Sequence, residues 1–78
     1  MINEYDSAEQ FAVCIDNTDY PASLELHKIY RVLPDEEAGR EGDIRIVDES
    51  GEDYLYSAHR FVPIKVPLAV KKSLAKSA

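Results

Sequence analysis

Four carboxylates lie close together between residues 48 and 53, and carboxylate oxygens are the ligands that hard cations prefer. They are Asp48, Glu49, Glu52 and Asp53. Ser50 and Gly51 lie between them and predict a tight hairpin turn, because glycine adopts positive φ without steric cost. In that register Asp48 faces Asp53 and Glu49 faces Glu52. Like charges directly opposite each other across two strands are unfavourable, so something must relieve the repulsion.

Three interpretations of this acidic hairpin (residues 48–53) are open. A weak calcium or magnesium site is one, although the spacing does not match an EF-hand loop. A tip that is fully solvated is the second, and it is the common state of hairpin tips. In the third, Arg31, Arg45 or Arg60 on a neighbouring strand pairs with the acids. The second and third interpretations are favoured, so the sequence predicts no bound metal here.

Tyrosines form the next candidate set. Tyr54 and Tyr56 alternate along one strand and therefore project from the same face, with Tyr20 on an earlier loop. Exposed aromatic rings would make a binding platform. The alternative, which is commoner in small domains, is that these rings cap the core with their hydroxyls at the surface. The candidate binding residues are Tyr20, Tyr54 and Tyr56 together with Asp48, Glu49, Glu52 and Asp53.

Residues that could support catalysis or bind a cofactor are few. His27, His59 and Cys14 do not have the spacing of a zinc motif. Cys14 lies in the middle of an apolar strand, which predicts a small buried hydrophobic residue. The sequence has no glycine-rich phosphate loop and no nucleophile elbow. It therefore predicts a protein that is not an enzyme and binds no cofactor.

Hydrophobic patterning predicts an all-β domain with five short strands. The predicted strands are 10–16, 28–33, 43–48, 54–56 and 61–66. Residues 22–26 form either one helical turn or a folded loop, and residues 35–42 form a polar loop. Pro63 places the last strand at an edge or a bulge, because proline cannot donate to a ladder. Residues 1–9 are a predicted arm, and Pro67 opens a short C-terminal helix or tail over 67–78.

The alternation of side chains predicts which residues are buried. Leu55 is expected to face the core while Tyr54 and Tyr56 face away from it. The predicted core residues are Val13, Ile15, Val32, Ile44, Ile46, Leu55 and Val62. A domain of 78 residues has a small core, so each of these residues should matter for stability.

The order of elements resembles an SH3-type barrel, on residues 12–16, 24–26, 28–33 and 56–64. More closely, residues 14–17, 20–25 and 48–56 resemble a family of short, uncharacterised bacterial proteins that is thought to be SH3-like and has no established function. The resemblance implies a small five-stranded SH3-like barrel over residues 10–66, with a short C-terminal helix. Peptide-binding SH3 domains carry a tryptophan at the start of the third strand, and this chain has none. A polyproline ligand is therefore not expected.

Charge is distributed unevenly along the chain. Residues 1–53 hold all 15 acidic residues against four basic ones, a net charge of −11, whereas residues 54–78 hold five basic residues and no acidic one. The acidic part argues against binding of nucleic acid, which needs a basic face.

No apolar run approaches the roughly 18 residues of a membrane span. A single cysteine and an acidic start without an apolar run predict a cytoplasmic protein without a secretory signal.

These observations favour a small non-catalytic protein-interaction module whose protein partner the sequence does not name. The alternative is an acidic regulator that mimics nucleic acid on a basic partner. Attraction between the two oppositely charged parts predicts a monomer or a weak homodimer. The C-terminal helix is expected to dock on the acidic body, within one chain or across a dimer, and to bury Val70 and Leu74.

Overall fold

Five antiparallel strands form one sheet in the computed structural model, which describes residues 10–48 and 50–77, with side chains through residue 73. The strands are β1 Gln10–Cys14, β2 Ile29–Leu33, β3 Asp43–Val47, β4 Asp53–Ser57 and β5 Phe61–Ile64. The helices are α1 Glu36–Arg40, a 3-10 helix Ala58–Arg60 and α2 Leu68–Ser77. The sheet order is β4-β3-β2-β1-β5, so β4 and β5 form its two edges. The chain is thus mostly β with a short C-terminal helix, as predicted; the predicted arm over residues 1–9 lies outside the described residues.

The register of the strands defines the two ends of the sheet. Val13 pairs with Ile29, and Arg31 pairs with Val47, so the 15–28 loop and the acidic hairpin leave the sheet at the same end. Phe11 pairs with Ile64, which places the end of β5 at the opposite end. Pro63 lies in the edge strand β5, in agreement with the prediction, because an edge position tolerates the missing N–H.

Aromatic residues form a large part of the core. The buried cluster consists of Ala12, Cys14, Leu24, Tyr30, Val32, Ile46, Tyr56 and Phe61, with Ile44 packed against it. Tyr30 and Phe61 meet edge to face with ring centroids 6.1 Å apart. The Tyr30 hydroxyl accepts a hydrogen bond from the Glu25 N–H at 2.8 Å, so burial of the ring leaves its polar atom bonded.

The predicted core was wrong for three residues and right for two. Val32 and Ile46 are buried, whereas Ile15, Leu55 and Val62 are exposed. Val13 and Ile44 are half-buried. In β4 the faces are reversed, because Tyr56 is 8% exposed and Leu55 is 47% exposed. A tyrosine ring buries more apolar area than a leucine side chain, so the face that carries the ring turns inward.

Residues 35–42 were predicted to be a polar loop and instead contain α1. Asp35 caps this helix, since its carboxylate accepts the Ala38 N–H at 3.0 Å. Glu36 and Glu37 in the first turn suit the helix dipole. Ala38 is buried, and α1 packs against β3. The sequence signal for this helix is a capping Asp followed by two glutamates. It was overlooked because the segment is polar throughout.

The acidic hairpin has a register one residue away from the predicted one. Val47 pairs with Asp53, and the Asp48 N–H donates to the Glu52 carbonyl at 2.9 Å. Asp48 therefore lies opposite Glu52 and not opposite Asp53. Gly51 has φ +89° and its N–H donates to the Asp48 carbonyl at 3.1 Å, as in hairpin loops longer than two residues. The predicted pairing of Glu49 lies outside the described residues.

The C-terminal helix begins at Leu68, one residue after Pro67, which was predicted to be its first residue. The Pro67 carbonyl accepts the N–H groups of Val70 and Lys71 at 2.9 and 3.0 Å. Val70 is 37% exposed, so the expected burial of this residue on the body of its own chain is wrong. The side chain of Leu74 lies outside the described residues.

Candidate interaction groove

An open groove lies at one end of the sheet, between the 15–28 loop and the acidic hairpin. Its walls carry apolar side chains and its rim carries charged and polar ones. The apolar walls are Tyr20, Pro21, Leu26, Tyr54 and Leu55. The polar rim includes Asn17, Glu25, Lys28, Asp48 and Ser50. The buried residues Leu24, Tyr30 and Tyr56 form its floor.

The 15–28 loop contains hydrogen-bonded turns and no regular helix, so residues 22–26 belong to a folded loop, which was one of the two alternatives that the sequence left open. The Leu24 N–H donates to the Tyr20 carbonyl at 2.8 Å. The Asn17 side-chain amide donates to the Leu24 carbonyl at 3.0 Å, and the Leu24 side chain is buried in the core. Burial of one leucine therefore anchors the whole loop, and the loop presents Tyr20 and Leu26 at the surface.

Arg60 fastens the same loop from the 3-10 helix. Its guanidinium lies over the Tyr20 ring, 4.9 Å from the centroid, and donates to the Thr18 carbonyl at 2.5 Å. Asp16 and Asp19 lie 3.6 and 3.5 Å from its nitrogens. Hydrogen bonds donated by Thr18 and the nearby Arg60 charge hold the pKa of Asp16 below its ordinary value. Arg60 thus pairs with the acidic residues of this loop.

Tyr20 is fixed on two sides. Arg60 stacks over its ring, and the Tyr56 ring meets it edge to face at 5.1 Å. A cation–π contact and an aromatic pair together restrict the ring to one orientation. Tyr20 is therefore a preformed wall of the groove, which lowers the ordering cost of binding a ligand.

The hairpin side of the groove is also ordered by hydrogen bonds. The Asp48 carboxylate accepts the Ser50 hydroxyl at 2.6 Å and the Ser50 and Glu52 N–H groups at 2.9 and 3.2 Å, and these bonds lower the pKa of Asp48. The Tyr54 hydroxyl donates to the Glu52 carboxylate, which raises the pKa of Tyr54 to about 12. Tyr54 consequently remains a neutral phenol over the whole physiological pH range.

Asp53 belongs to a different cluster on the other face of the sheet. Arg45 donates to Asp53 at 2.6 Å and to Asp35 at 2.9 Å. The hydrogen bonds to Asp53 and Asp35 raise the pKa of Arg45. The hydrogen bonds that Asp35 accepts from the Ala38 N–H and from Arg45 lower the pKa of Asp35. Of the arginines that the sequence suggested for the hairpin acids, Arg45 forms a pair with Asp53. Within residues 10–48 and 50–73 no three His, Cys, Asp or Glu side chains are grouped as metal ligands.

The structure therefore separates the candidate residues into three places. Tyr20, Tyr54 and Asp48 line the groove, whereas Tyr56 forms its floor and Asp53 faces Arg45. Leu26 and Leu55 also line the groove but were not predicted there, because the sequence signals for this site were aromatic rings and carboxylates. Glu49 lies outside the described residues. Cys14 is buried in the core, as predicted.

Comparison of the chain with protein-family models, with curated proteins and with solved structures found no match. The resemblance to short SH3-like bacterial proteins stays a prediction. In the part of the chain that the structure describes, no helix has the length and apolar character needed to cross a membrane.

Proposed function

We propose that this chain is a small non-catalytic interaction module that binds a segment of a protein in the groove. The observation that carries the proposal is the clustering of exposed apolar side chains. Tyr20, Leu26, Tyr54 and Leu55 are among the exposed large hydrophobic residues of the chain, and all four line the groove. Apolar surface gathered in a concave site, and bounded by polar groups, is typical of recognition sites.

The proposed fold is an SH3-like barrel. Two features support it: the strand order β4-β3-β2-β1-β5, and the 3-10 helix between β4 and β5. In this arrangement long loops emerge at one end of the sheet and can form a shallow site for an extended or helical segment. Without a tryptophan in the chain, the groove is better suited to mixed apolar and charged segments than to polyproline helices.

The charge of the rim indicates the kind of segment that the groove accepts. Glu25 and Asp48 lie on the rim, and Lys28 is the basic residue among the lining side chains. Lys28 lies 3.9 Å from Glu25 and 5.3 Å from the Tyr30 ring centroid, so its charge is partly compensated. A segment with apolar side chains and one or more lysines or arginines would bury its apolar groups against the walls and place its cations beside the acids.

Selection from a random peptide library, followed by NMR titration of the full chain, tests this proposal. Selected peptides should combine basic and apolar residues, and their shifts should map to Tyr20, Leu26 and Tyr54. Leu26→Ser should weaken binding, whereas Leu33→Ser should not, because Leu33 is similarly exposed but does not line the groove. Peptides that bind elsewhere, or equal losses in the two variants, would contradict the proposal.

The alternative function, an acidic regulator that mimics nucleic acid, makes a different prediction for salt. The net charge of −11 over residues 1–53 is the observation that favours it. A charge mimic should lose its partner steeply as ionic strength rises and the Debye length shortens from about 10 Å at 0.1 M to about 3 Å at 1 M. Binding that depends on the apolar walls should change little over the same range and should fail in Leu26→Ser.

A further inference from the structure

The groove and the C-terminal helix lie at opposite ends of the sheet. β5 runs from Phe61, which pairs with Cys14 beside the 15–28 loop, to Ile64, which pairs with Phe11 at the far end. The helix α2 begins four residues later, at Leu68. Leu68 and Val70 are exposed, and no residue of the helix up to Ser73, the last whose side chain the structure describes, lines the groove of its own chain.

The chemistry of this helix matches the chemistry of the groove. The helix Leu68–Ser77 contains three lysines and no acidic residue. Leu68 and Val70 add exposed apolar side chains near its start. The groove offers apolar walls with Glu25 and Asp48 on its rim. A basic segment that carries apolar side chains is the kind of ligand proposed for the groove, and this chain contains one.

We propose that the groove binds the C-terminal helix of a second copy of this chain, an inference that rests on the proposed function of the groove. The two copies exchange helices reciprocally, so that each groove receives the helix of the partner. A reciprocal exchange closes the assembly as a symmetric dimer, whereas a one-way contact would leave open ends and produce chains. Docking also supplies the packing that a ten-residue helix lacks alone.

The apolar contacts should provide most of the affinity, and the charges should select the partner. Val70 loses exposed apolar area when it enters a groove lined by Leu26 and Tyr54, and burial of such a side chain is the main favourable term in association. Exposed ion pairs contribute little individually, so lysine–carboxylate contacts at the rim mainly set the orientation of the helix.

Sedimentation velocity of the full chain over a range of concentrations tests the dimer. We expect a reversible equilibrium between monomer and dimer, with a dissociation constant of about 1 mM or below, as in weak complexes. Leu26→Ser and Val70→Ser should each raise the dissociation constant roughly tenfold, by removal of one apolar contact at each of two symmetric sites. Leu33→Ser is the matched control and should leave it unchanged. Circular dichroism of each variant verifies that the fold is retained.

A pair of charge reversals tests the reciprocal geometry directly. Glu25→Lys alters the groove and Lys71→Glu alters the helix beside Val70, so each variant alone should dimerise roughly two- to fivefold more weakly. An equimolar mixture should dimerise as well as the unaltered chain, since every groove then meets a helix of opposite charge. If the mixture is no better than the single variants, or if the control alone weakens the dimer, the reciprocal exchange is wrong.

The two proposals can fail separately. A chain that stays monomeric to about 1 mM, while selected basic peptides still bind the groove, would overturn the helix exchange and leave the proposed function standing. A chain that neither dimerises nor binds any selected peptide would overturn both. Dimerisation that persists in Leu26→Ser, Val70→Ser and the charge variants would assign the dimer to another surface and would also overturn the exchange.

Discussion

Truncation of two apolar residues on adjacent strands, one at a time, should change the free energy of unfolding by very different amounts. Ile46 and Leu55 both lie on strands of the β3–β4 hairpin, yet Ile46 is 1% exposed and Leu55 is 47% exposed. Ile46 pairs with Val32 on one side and Tyr54 on the other, and it belongs to the buried cluster. Ile46→Ala should therefore lower the free energy of unfolding by about 2–5 kcal/mol, through lost transfer energy and a residual cavity. Leu55→Ala should change it by less than about 0.5 kcal/mol.

These magnitudes are large compared with the stability of a domain of this size. A chain of 78 residues is stable by about 4–12 kcal/mol, and each kcal/mol shifts the melting temperature of such a domain by about 4–8 °C. Ile46→Ala should thus lower the Tm by at least about 8 °C, and Leu55→Ala by at most about 4 °C. Urea and thermal unfolding monitored by circular dichroism would measure both changes.

Ile46→Val provides a graded control that keeps the fold. Removal of a single methylene at a buried position costs about 0.5–1.5 kcal/mol, so its midpoint should fall between those of the unaltered chain and Ile46→Ala. Equal destabilisation by Ile46→Ala and Leu55→Ala would refute the assignment of the two faces of the sheet. A larger effect at Leu55 would mean that Tyr56 faces outward.

Three further predictions concern groups whose surroundings are unusual. The pKa values of Asp35 and Asp48 are lowered in the folded chain, so their contribution to stability is present above the ordinary Asp pKa of 3.8 and is lost as the pH falls through the lowered values. Melting temperatures measured from pH 7 to 2 should show this loss. The melting temperature of Asp35→Asn should fall less steeply with pH, and an equally steep fall in that variant would contradict the prediction. Gly51→Ala should cost about 1 kcal/mol by urea unfolding, because φ is +89° there although no atom lies within 4 Å of an added Cβ, and a neutral result would exclude strain. Ultraviolet titration should find Tyr54 ionising near pH 12, and Glu52→Gln should return its pKa toward 10.0; an unchanged titration would mean that the hydrogen bond is not formed.

Local patterns in the sequence were sufficient to predict the strands but not their faces. The number and order of the strands followed from β-branched and aromatic runs separated by turn residues. The face of β4 could not be decided by alternation, since Leu55 and Tyr56 are both apolar enough to be buried. Tyr56 is buried because Tyr20 and Phe61 provide aromatic partners for it, and Tyr20 comes from a distant part of the chain.

The groove was only partly predictable for the same reason. Tyr20 and Tyr54 were identified by residue type, but their positions on facing walls depend on the packing of the 15–28 loop. Arg60 holds that loop through contacts with residues up to 44 positions earlier in the sequence, and no local spacing indicates such a contact. The register of the acidic hairpin was wrong because a two-residue turn and a longer loop with a left-handed glycine share the same residues.

The tie between Arg60 and the 15–28 loop has a consequence for the order in which the chain folds. The β3–β4 hairpin joins residues that are close in sequence, so it can form early at a small loop-closure cost. The Tyr20 wall is fastened only when Arg60 reaches Thr18, a contact that spans 42 residues, and when β5 has joined β1. During synthesis the groove is therefore completed late, after the 3-10 helix and β5 have left the ribosome. A nascent chain that ends before Arg60 carries four of the five strands of the sheet, but it lacks the contacts that hold the Tyr20 wall of the groove in place.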